Sequence, residues 1–319
     1  MLKLDVITKF FPLWVIICSI LSLYNPELFI WFSGSFITYG LSGIMLVMGL
    51  TLNINDFKEV IKYPLWVFFG VLLQFSVMPF LGWILGVLFE LPPFFAVGLI
   101  LVSSCPGGTA SNVIVYLANA NVPLSVAMTT ISTLIAIILT PLLTSYLSGS
   151  YLEVDAIGLF LSTLKVVLLP VGLGLLLNMC FPKLTQYLIP YSPPMAVVLI
   201  TLIVASIIGQ GKDIILNSGI NLIVCIMILH LVGFLVGFFI SYTIFKNKNI
   251  SKTISIEVGM QNSGLGVVLA QENFINPATA IPSAISSLVH SLYGSLFVAF
   301  FKKKYIYFLI KTLNCACFS

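Results

Sequence analysis

The sequence predicts an all-α polytopic membrane protein with ten transmembrane helices. Of its 319 residues, 60% are hydrophobic and only 8% are charged. A soluble domain of this size needs far more charge on its surface. Apolar segments long enough to cross a bilayer recur along the chain, so the lipid bilayer is its expected surroundings. The net charge of +4 gives no reason to expect nucleic-acid binding in this setting.

Ten apolar segments are separated by Pro, Gly, Asn and charged residues, which is the pattern of a multi-pass helical protein. They lie near residues 10–24, 35–52, 64–88, 93–118, 122–147, 154–178, 187–209, 217–245, 249–272 and 277–301.

The lysines predict the orientation, since cytoplasmic loops carry the excess of positive charge. With the N-terminus placed inside, only Lys212 falls in an outer loop and Lys165 falls within a span. Inner segments would hold Lys3, Lys9, Lys58, Lys62, Lys183, Lys246, Lys248, Lys252, Lys302, Lys303, Lys304 and Lys311. We therefore expect cytoplasmic N- and C-termini, with the chain in the inner (plasma) membrane of the cell.

Two short motifs recur at one offset and suggest an internal repeat. The G-x-x-x-G of Gly82 and Gly86 returns 151 residues later at 233 and 237, and Ser111-Asn112 is matched at that offset by 262–263. The shared offset predicts two halves of five spans each, residues 1–150 and 151–319. Because five is odd, the second half would be inverted relative to the first.

The fourth and ninth spans each contain a polar, Gly-rich interruption. The first is CPGGTASNV at 105–113, and the second lies within EVGMQNSGLG at 257–266. About 12 helical residues on each side of the first break would cover roughly 18 Å, about half of a bilayer core. Interruptions at corresponding positions of two repeats indicate a transporter binding site near the membrane midplane.

The polar residues near these interruptions are oxygen donors. Glu257 is the only acidic residue placed deep in a span, and an intramembrane carboxylate is functional by default. Ser125 and Thr129 share one helix face, and Gln74 is a lone amide in the third span. Carboxylate, hydroxyl and amide oxygens favour a hard cation.

CPGGTASN followed by EVGMQNSGLG resembles the bile acid:sodium symporter family, bacterial homologues included, over essentially the whole chain. The resemblance implies two inverted five-helix repeats in which spans 4 and 9 are discontinuous and cross. It also implies a panel domain of spans 1, 2, 6 and 7 and a core domain of spans 3–5 and 8–10.

The ligands implied by the resemblance are two sodium ions and a small organic anion, with no organic cofactor. One sodium site would use Ser111, Asn112, Ser125, Thr129 and Glu257. The second would use Gln74, Glu257, Gln261 and the backbone carbonyls of Val258 and Met260. Thr109, Asn262 and the region of His290 match polar substrate positions, and Ser291 stands where the family carries Asn.

Together these features predict a secondary active symporter, active as a monomer, that carries sodium and a bile acid-like or other carboxylate into the cell by alternating access. The alternative is a cation/proton exchanger in which Glu257 trades a proton for the cation. No G-x-S-x-G or H-E-x-x-H motif is present, so we expect no enzyme.

Overall fold

The structure is a computed structural model that describes residues 8, 10–52, 62–149 and 151–301, without the side chains of 217–219. These residues form helices and contain no β-strand. The α-helices are α1 Phe11–Tyr24, α2 Ser35–Thr51, α3 Pro64–Leu88, α4 Pro93–Ser103, α5 Ala110–Leu117, α6 Val122–Ser148, α7 Ala156–Thr163, α8 Leu169–Cys180, α9 Pro182–Leu188, α10 Ser192–Gln210, α11 Lys212–Phe245, α12 Lys248–Gly259, α13 Ser263–Asn273 and α14 Ile281–Phe301. The all-α class is confirmed.

Six helical stretches in the described part of the chain are long and apolar enough to span a bilayer. They are Pro64–Leu88, Val122–Ser148, Ala156–Cys180, Pro182–Gln210, Ile220–Phe245 and Pro277–Phe301. Three shorter apolar helices, α1, α2 and α4, have fewer than 18 residues. The chain is therefore a multi-pass membrane protein, and each predicted segment coincides with one helix or with consecutive helical pieces.

The predicted start of the eighth span differs from the structure. α11 begins at Lys212 rather than near 217, so that Gly211 alone separates it from α10. Asp213 lies in the first turn of α11, where a negative charge is stabilised by the helix dipole. The charged pair at 212 and 213 therefore starts this helix instead of forming a loop.

A π-helical turn, Leu164–Leu168, joins α7 to α8 and makes Ala156–Cys180 one continuous span. It contains Lys165, the lysine that the sequence places inside the membrane. π-turns are rare and often occur at functional positions.

The helices pack in two sets of neighbours. α2 lies against α8, and α10 lies against α1 and α2. In the other set α3 packs on α4, α6 and α11, and α14 packs on α4, α11 and α13. A close backbone approach joins α2 and α8, where a Cβ at Gly174 would lie 2.2 Å from the carbonyl oxygen of Leu46.

Seven of the lysines used for the predicted orientation lie outside the described residues. They are Lys3, Lys9, Lys58, Lys302, Lys303, Lys304 and Lys311. The placement of both termini in the cytoplasm therefore stays a prediction.

The contact between α2 and α8 predicts a large cost for any side chain at Gly174. We expect Gly174→Val to lower the melting temperature of the purified protein in detergent by several degrees, because overpacking costs about 1–3 kcal/mol. Gly172→Val is the matched control, since a Cβ there has no atom within 4 Å. Equal melting temperatures for the two variants would contradict this packing.

Candidate functional site

Two interrupted helices meet at their breaks. α4 ends at Ser103 and α5 begins at Ala110, while α12 ends at Gly259 and α13 begins at Ser263. The breaks pair as an antiparallel bridge between Gly107 and Gln261. The N–H of Gly108 donates to the carbonyl of Met260 at 2.9 Å, and the N–H of Asn262 donates to the carbonyl of Pro106 at 2.8 Å. Each break thus supplies backbone partners to the other.

Four further carbonyls at the ends of α4 and α12 lie within hydrogen-bond distance of side-chain donor groups, at 2.7–3.2 Å. The pairs are Ser104 with Thr140, Cys105 with Gln74, Val258 with Gln261, and Gly259 with His230. Unpaired backbone groups cost several kcal/mol in a membrane interior, so these bonds permit the helices to stop there.

The carboxylate of Glu257 is buried between α5, α6 and α12. Its Oε1 accepts hydrogen bonds from the hydroxyls of Ser111, at 2.6 Å, and Ser125. Its Oε2 accepts from the hydroxyl of Thr129 at 2.8 Å. The Ser125 hydroxyl also lies 2.7 Å from the Oδ1 of Asn112. The structure therefore brings together all five residues predicted for the first sodium site.

The second predicted set adjoins the first. Gln74 donates to the Oε1 of Gln261 at 2.6 Å, and Gln261 in turn donates to the carbonyl of Val258. The carbonyl of Met260 is engaged by Gly108, as described above. The set is thus adjacent to Glu257 and linked by hydrogen bonds.

A small cavity, with no room for a water molecule, lies beside Gln74 and Glu257. Its lining includes these two side chains, Gly107 and Ser132. The buried Oε1 of Gln74 has no hydrogen-bond partner among the residues that the structure describes. The chemistry of a cavity lined by an unsatisfied amide oxygen and a carboxylate fits a hard cation. No cluster of three His, Cys, Asp or Glu side chains that could hold a metal ion occurs in the described ranges.

Thr109 lies in a larger crevice close to the breaks. α1, α2 and α10 line one side of it, with Ile44, Thr51 and Ile200 among the contributing residues. Thr109 and Asn112 line the other side. The crevice is mainly apolar with a few hydroxyl groups, which is the usual character of a small-molecule site.

The other three predicted substrate residues do not line this crevice. The Oδ1 of Asn262 caps α13 by accepting from the N–H of Leu265 at 3.1 Å. His290 is buried, with its Nδ1 3.5 Å from the hydroxyl of Ser263. Ser291 is buried and donates to the carbonyl of Ser287 in its own helix. The structure therefore brings only Thr109 of the four to the crevice.

His230 is a site residue that the sequence did not indicate. Its Nδ1 lies 2.8 Å from the carbonyl of Gly259, and its Nε2 lies 2.8 Å from the hydroxyl of Ser286. Ser286 is 3.0 Å from the hydroxyl of Ser263, at the start of α13. His230 thus links both sides of the second break. The sequence contained one signal for this role, a histidine within an apolar helix, because a buried histidine needs hydrogen-bond partners.

Comparison with known proteins assigns the family. The model of the sodium bile acid symporter family matches residues 38–218. The chain belongs to this family. It is 46% identical over 299 residues to "Probable sodium/metabolite cotransporter BASS1, chloroplastic" of Arabidopsis thaliana, covering 94% of this chain and 75% of that protein. It is 43% identical over 295 residues to "Uncharacterized sodium-dependent transporter YocS" of Bacillus subtilis, covering 92% of this chain and 91% of that protein.

These relatives support the broad functional class. The family is one of sodium-dependent transporters, and its members named here are transporters rather than enzymes. The predictions of family membership and of a membrane transporter rather than an enzyme are therefore confirmed. The use of sodium follows from the family, whereas the number of ions and the cargo do not.

The pairing of the two breaks predicts that Gly108 tolerates no side chain. A Cβ there would lie 2.7 Å from the carbonyl oxygen of Gln261 and would push the breaks apart. We expect Gly108→Ala to lower the melting temperature by several degrees, as for other overpacked sites. Gly149→Ala serves as control, because the nearest atom to its Cβ would be 3.5 Å away. A neutral Gly108→Ala would be inconsistent with the paired breaks.

Proposed function

We propose that this protein is a secondary active transporter that couples the entry of a small organic anion to the entry of sodium by alternating access. The observation that carries the proposal is the buried carboxylate of Glu257, which adjoins both candidate cation positions beside the paired breaks. The cargo would be a carboxylate, either bile acid-like or smaller.

The proposed architecture has ten spans in two inverted halves, residues 1–150 and 151–319. Contacts at equivalent glycines support it: a Cβ at Gly86 in α3 would lie 3.4 Å from the Cβ of Ala96 in α4, and a Cβ at Gly237 in α11 would lie 3.0 Å from the Cα of Ser255 in α12. In each half, a glycine thus lies at the contact with the helix that ends at the break. The panel would be α1, α2, α7–α8 and α10, and the core would hold the remaining spans.

The first sodium position would use Ser111, Asn112, Ser125 and Thr129 with Glu257. Three of these residues are hydroxyls that now donate to the carboxylate. A hydroxyl is both donor and acceptor, so it can turn its lone pairs toward an entering cation without moving its helix. The carboxylate would supply the balancing negative charge.

The second position would be the small cavity beside Gln74. The unsatisfied Oε1 of Gln74 and the carboxylate of Glu257 line it, and Gln261 is bonded to Gln74. The carbonyls of Val258 and Met260 complete the proposed set. A cation bound at this position would offset the free-energy cost of burying the Gln74 Oε1 without a hydrogen-bond donor.

Charge balance supplies a reason for coupling. Two sodium ions against the single carboxylate of Glu257 leave one positive charge in a medium of low dielectric constant, where uncompensated charge is costly. An anion near Thr109 would cancel it. We assign Thr109 and Asn262 as the contacts nearest the breaks, and His290 as a residue that supports the start of α13, whereas Ser291 bonds within α14 beside it.

Cation/proton exchange through Glu257 is the competing function. The three hydroxyls around the carboxylate can all donate to it at once, which suits the ionised form because an ionised carboxylate is an acceptor only. This arrangement favours sodium binding over proton exchange. We further propose a monomer in the plasma membrane with both termini in the cytoplasm, as the lysine distribution predicts.

Sodium binding predicts ion-specific stabilisation of the purified protein. A ligand present at 100 times its dissociation constant stabilises by about 2.7 kcal/mol. We therefore expect sodium chloride, but not potassium chloride at equal ionic strength, to raise the melting temperature by several degrees. Glu257→Gln should stay folded and lose this rise, because the amide cannot balance the charge.

The matched control is Glu153→Gln, since Glu153 is exposed outside the breaks. It should keep the sodium-dependent rise. Melting curves that respond equally to sodium and potassium, or a full sodium response in Glu257→Gln, would remove Glu257 from the proposed sites.

Proton exchange is tested in proteoliposomes that enclose a pH-sensitive dye. An external sodium pulse without organic anion should leave the internal pH unchanged if sodium does not exchange for protons. A potassium pulse and the Glu257→Gln variant measure the background leak. Internal alkalinisation on the sodium pulse, absent from both controls, would establish exchange and exclude the proposed symport.

A further inference from the structure

A second crevice, which we call the polar crevice, lies at the opposite ends of α2 and α10 from the Thr109 crevice. Thr38 and Ser42 in α2, Gln210 at the end of α10, Gln271 and Glu272 at the end of α13, and Lys165 of the π-turn line it. The same two helices, α2 and α10, therefore border both crevices. Unlike the first crevice, this one contains a cationic side chain.

Lys165 is exposed and has no ion pair or hydrogen bond with any residue that the structure describes. A lysine within a membrane-spanning helix is costly and normally faces water or a partner. Lys165 lies in the π-turn and lines the polar crevice. The ammonium group is thus available to an anion from outside the protein.

Several neutral donors share this situation. The hydroxyl of Ser42 and the amide of Gln271 line the polar crevice without a hydrogen bond to the described residues, as do the hydroxyls of Ser33, Ser35 and Tyr39. Glu272, in contrast, accepts a hydrogen bond from Thr38 at 3.2 Å and lies near the end of α13. The unengaged groups therefore include one cation and several neutral groups that can donate, a set that suits a carboxylate.

An apolar contact joins the crevice-lining part of α2 to the start of α13. A Cβ at Gly264, in the first turn of α13, would lie 3.3 Å from Leu41, the neighbour of Ser42 in α2. Leu41 is buried. The part of α2 that lines the polar crevice therefore adjoins the helix that begins at the second break.

We propose that the polar crevice is a recruitment site for the carboxylate group of the transported anion, held by the Lys165 ammonium with Ser42 and Gln271. The inference rests on the proposed symport. It adds a second, earlier position for the cargo on the side of the protein away from the Thr109 crevice. Because Glu272 also lines the crevice, the lining carries no net charge, and the attraction for an anion acts locally at the ammonium group of Lys165.

The test measures the charge preference of the crevice with thiol reagents, in detergent, on a cysteine-free background carrying Ser42→Cys. We expect a negatively charged methanethiosulfonate to react faster than a positively charged one, with a rate ratio on the order of fivefold. Lys165→Gln should remove the preference and Lys165→Arg should keep it. Lys212→Gln is the matched control, since Lys212 lies near the carbonyl of Tyr24 and outside the crevice.

Occupancy by carboxylate is tested on the same thiol. Sodium acetate or sodium pyruvate should slow its modification more than sodium chloride at equal ionic strength, and Lys165→Gln should abolish the difference. Equal protection by chloride, a preference for the cationic reagent, or a thiol inert to both reagents would overturn the proposal.

The melting temperature separates this inference from the proposed function. Lys165→Gln should keep the sodium-dependent rise, because Lys165 is absent from both cation positions. If the wild type shows no such rise while the crevice remains anion-selective, the symport proposal fails and the crevice stands as an anion site. If the rise is normal and the crevice shows no preference, only the recruitment site fails.

Discussion

Every backbone N–H and C=O group in a membrane interior needs a hydrogen-bond partner, and the centre of this protein depends on that requirement. Two helices can stop there only because each break pairs with the other, Gly108 with Met260 and Asn262 with Pro106. The pairing needs glycine for steric reasons. A Cβ at Gly107 would lie 2.8 Å from the carboxylate of Glu257. The Pro-Gly-Gly sequence thus allows the backbones of the two breaks and the carboxylate of Glu257 to pack in direct contact.

The pairing of the breaks also fixes the position of the buried carboxylate. Glu257 lies in the last turn of α12, and the break holds that turn against Ser111 of α5. α6 contributes Ser125 and Thr129 from one face. A carboxylate at this depth is tolerated because three hydroxyls donate to it. Those hydroxyls are also potential cation ligands, so one arrangement would stabilise the acid in the absence of sodium and bind sodium when it is present.

The sequence predicted the two breaks, the helical segments and the burial of Glu257 beside the second break, because Gly, Pro and charge are local signals in apolar helices. The other four residues of the first predicted sodium site lie around Glu257, as the family resemblance implied. It did not predict that His230 bonds Gly259 or that Thr140 bonds Ser104. Those pairs join separate helices, and periodicity assigns a face without naming its neighbour. Asn262, His290 and Ser291 do not line the Thr109 crevice, and the sequence offered no local signal of that.

The strength of the contacts indicates which surfaces can separate. Both proposed cation positions draw on α3, α5, α6 and α12, and polar bonds of 2.6–2.9 Å join them to one another. α13, which follows the second break, contacts α2 where the apolar side chain of Leu41 lies against Gly264, and no side-chain hydrogen bond joins these two residues. Sliding at such an apolar surface costs less than breaking buried polar bonds. We infer that the cation positions move as one body while α2 and α10 release one crevice or the other, so that ion affinity and access are controlled at different surfaces.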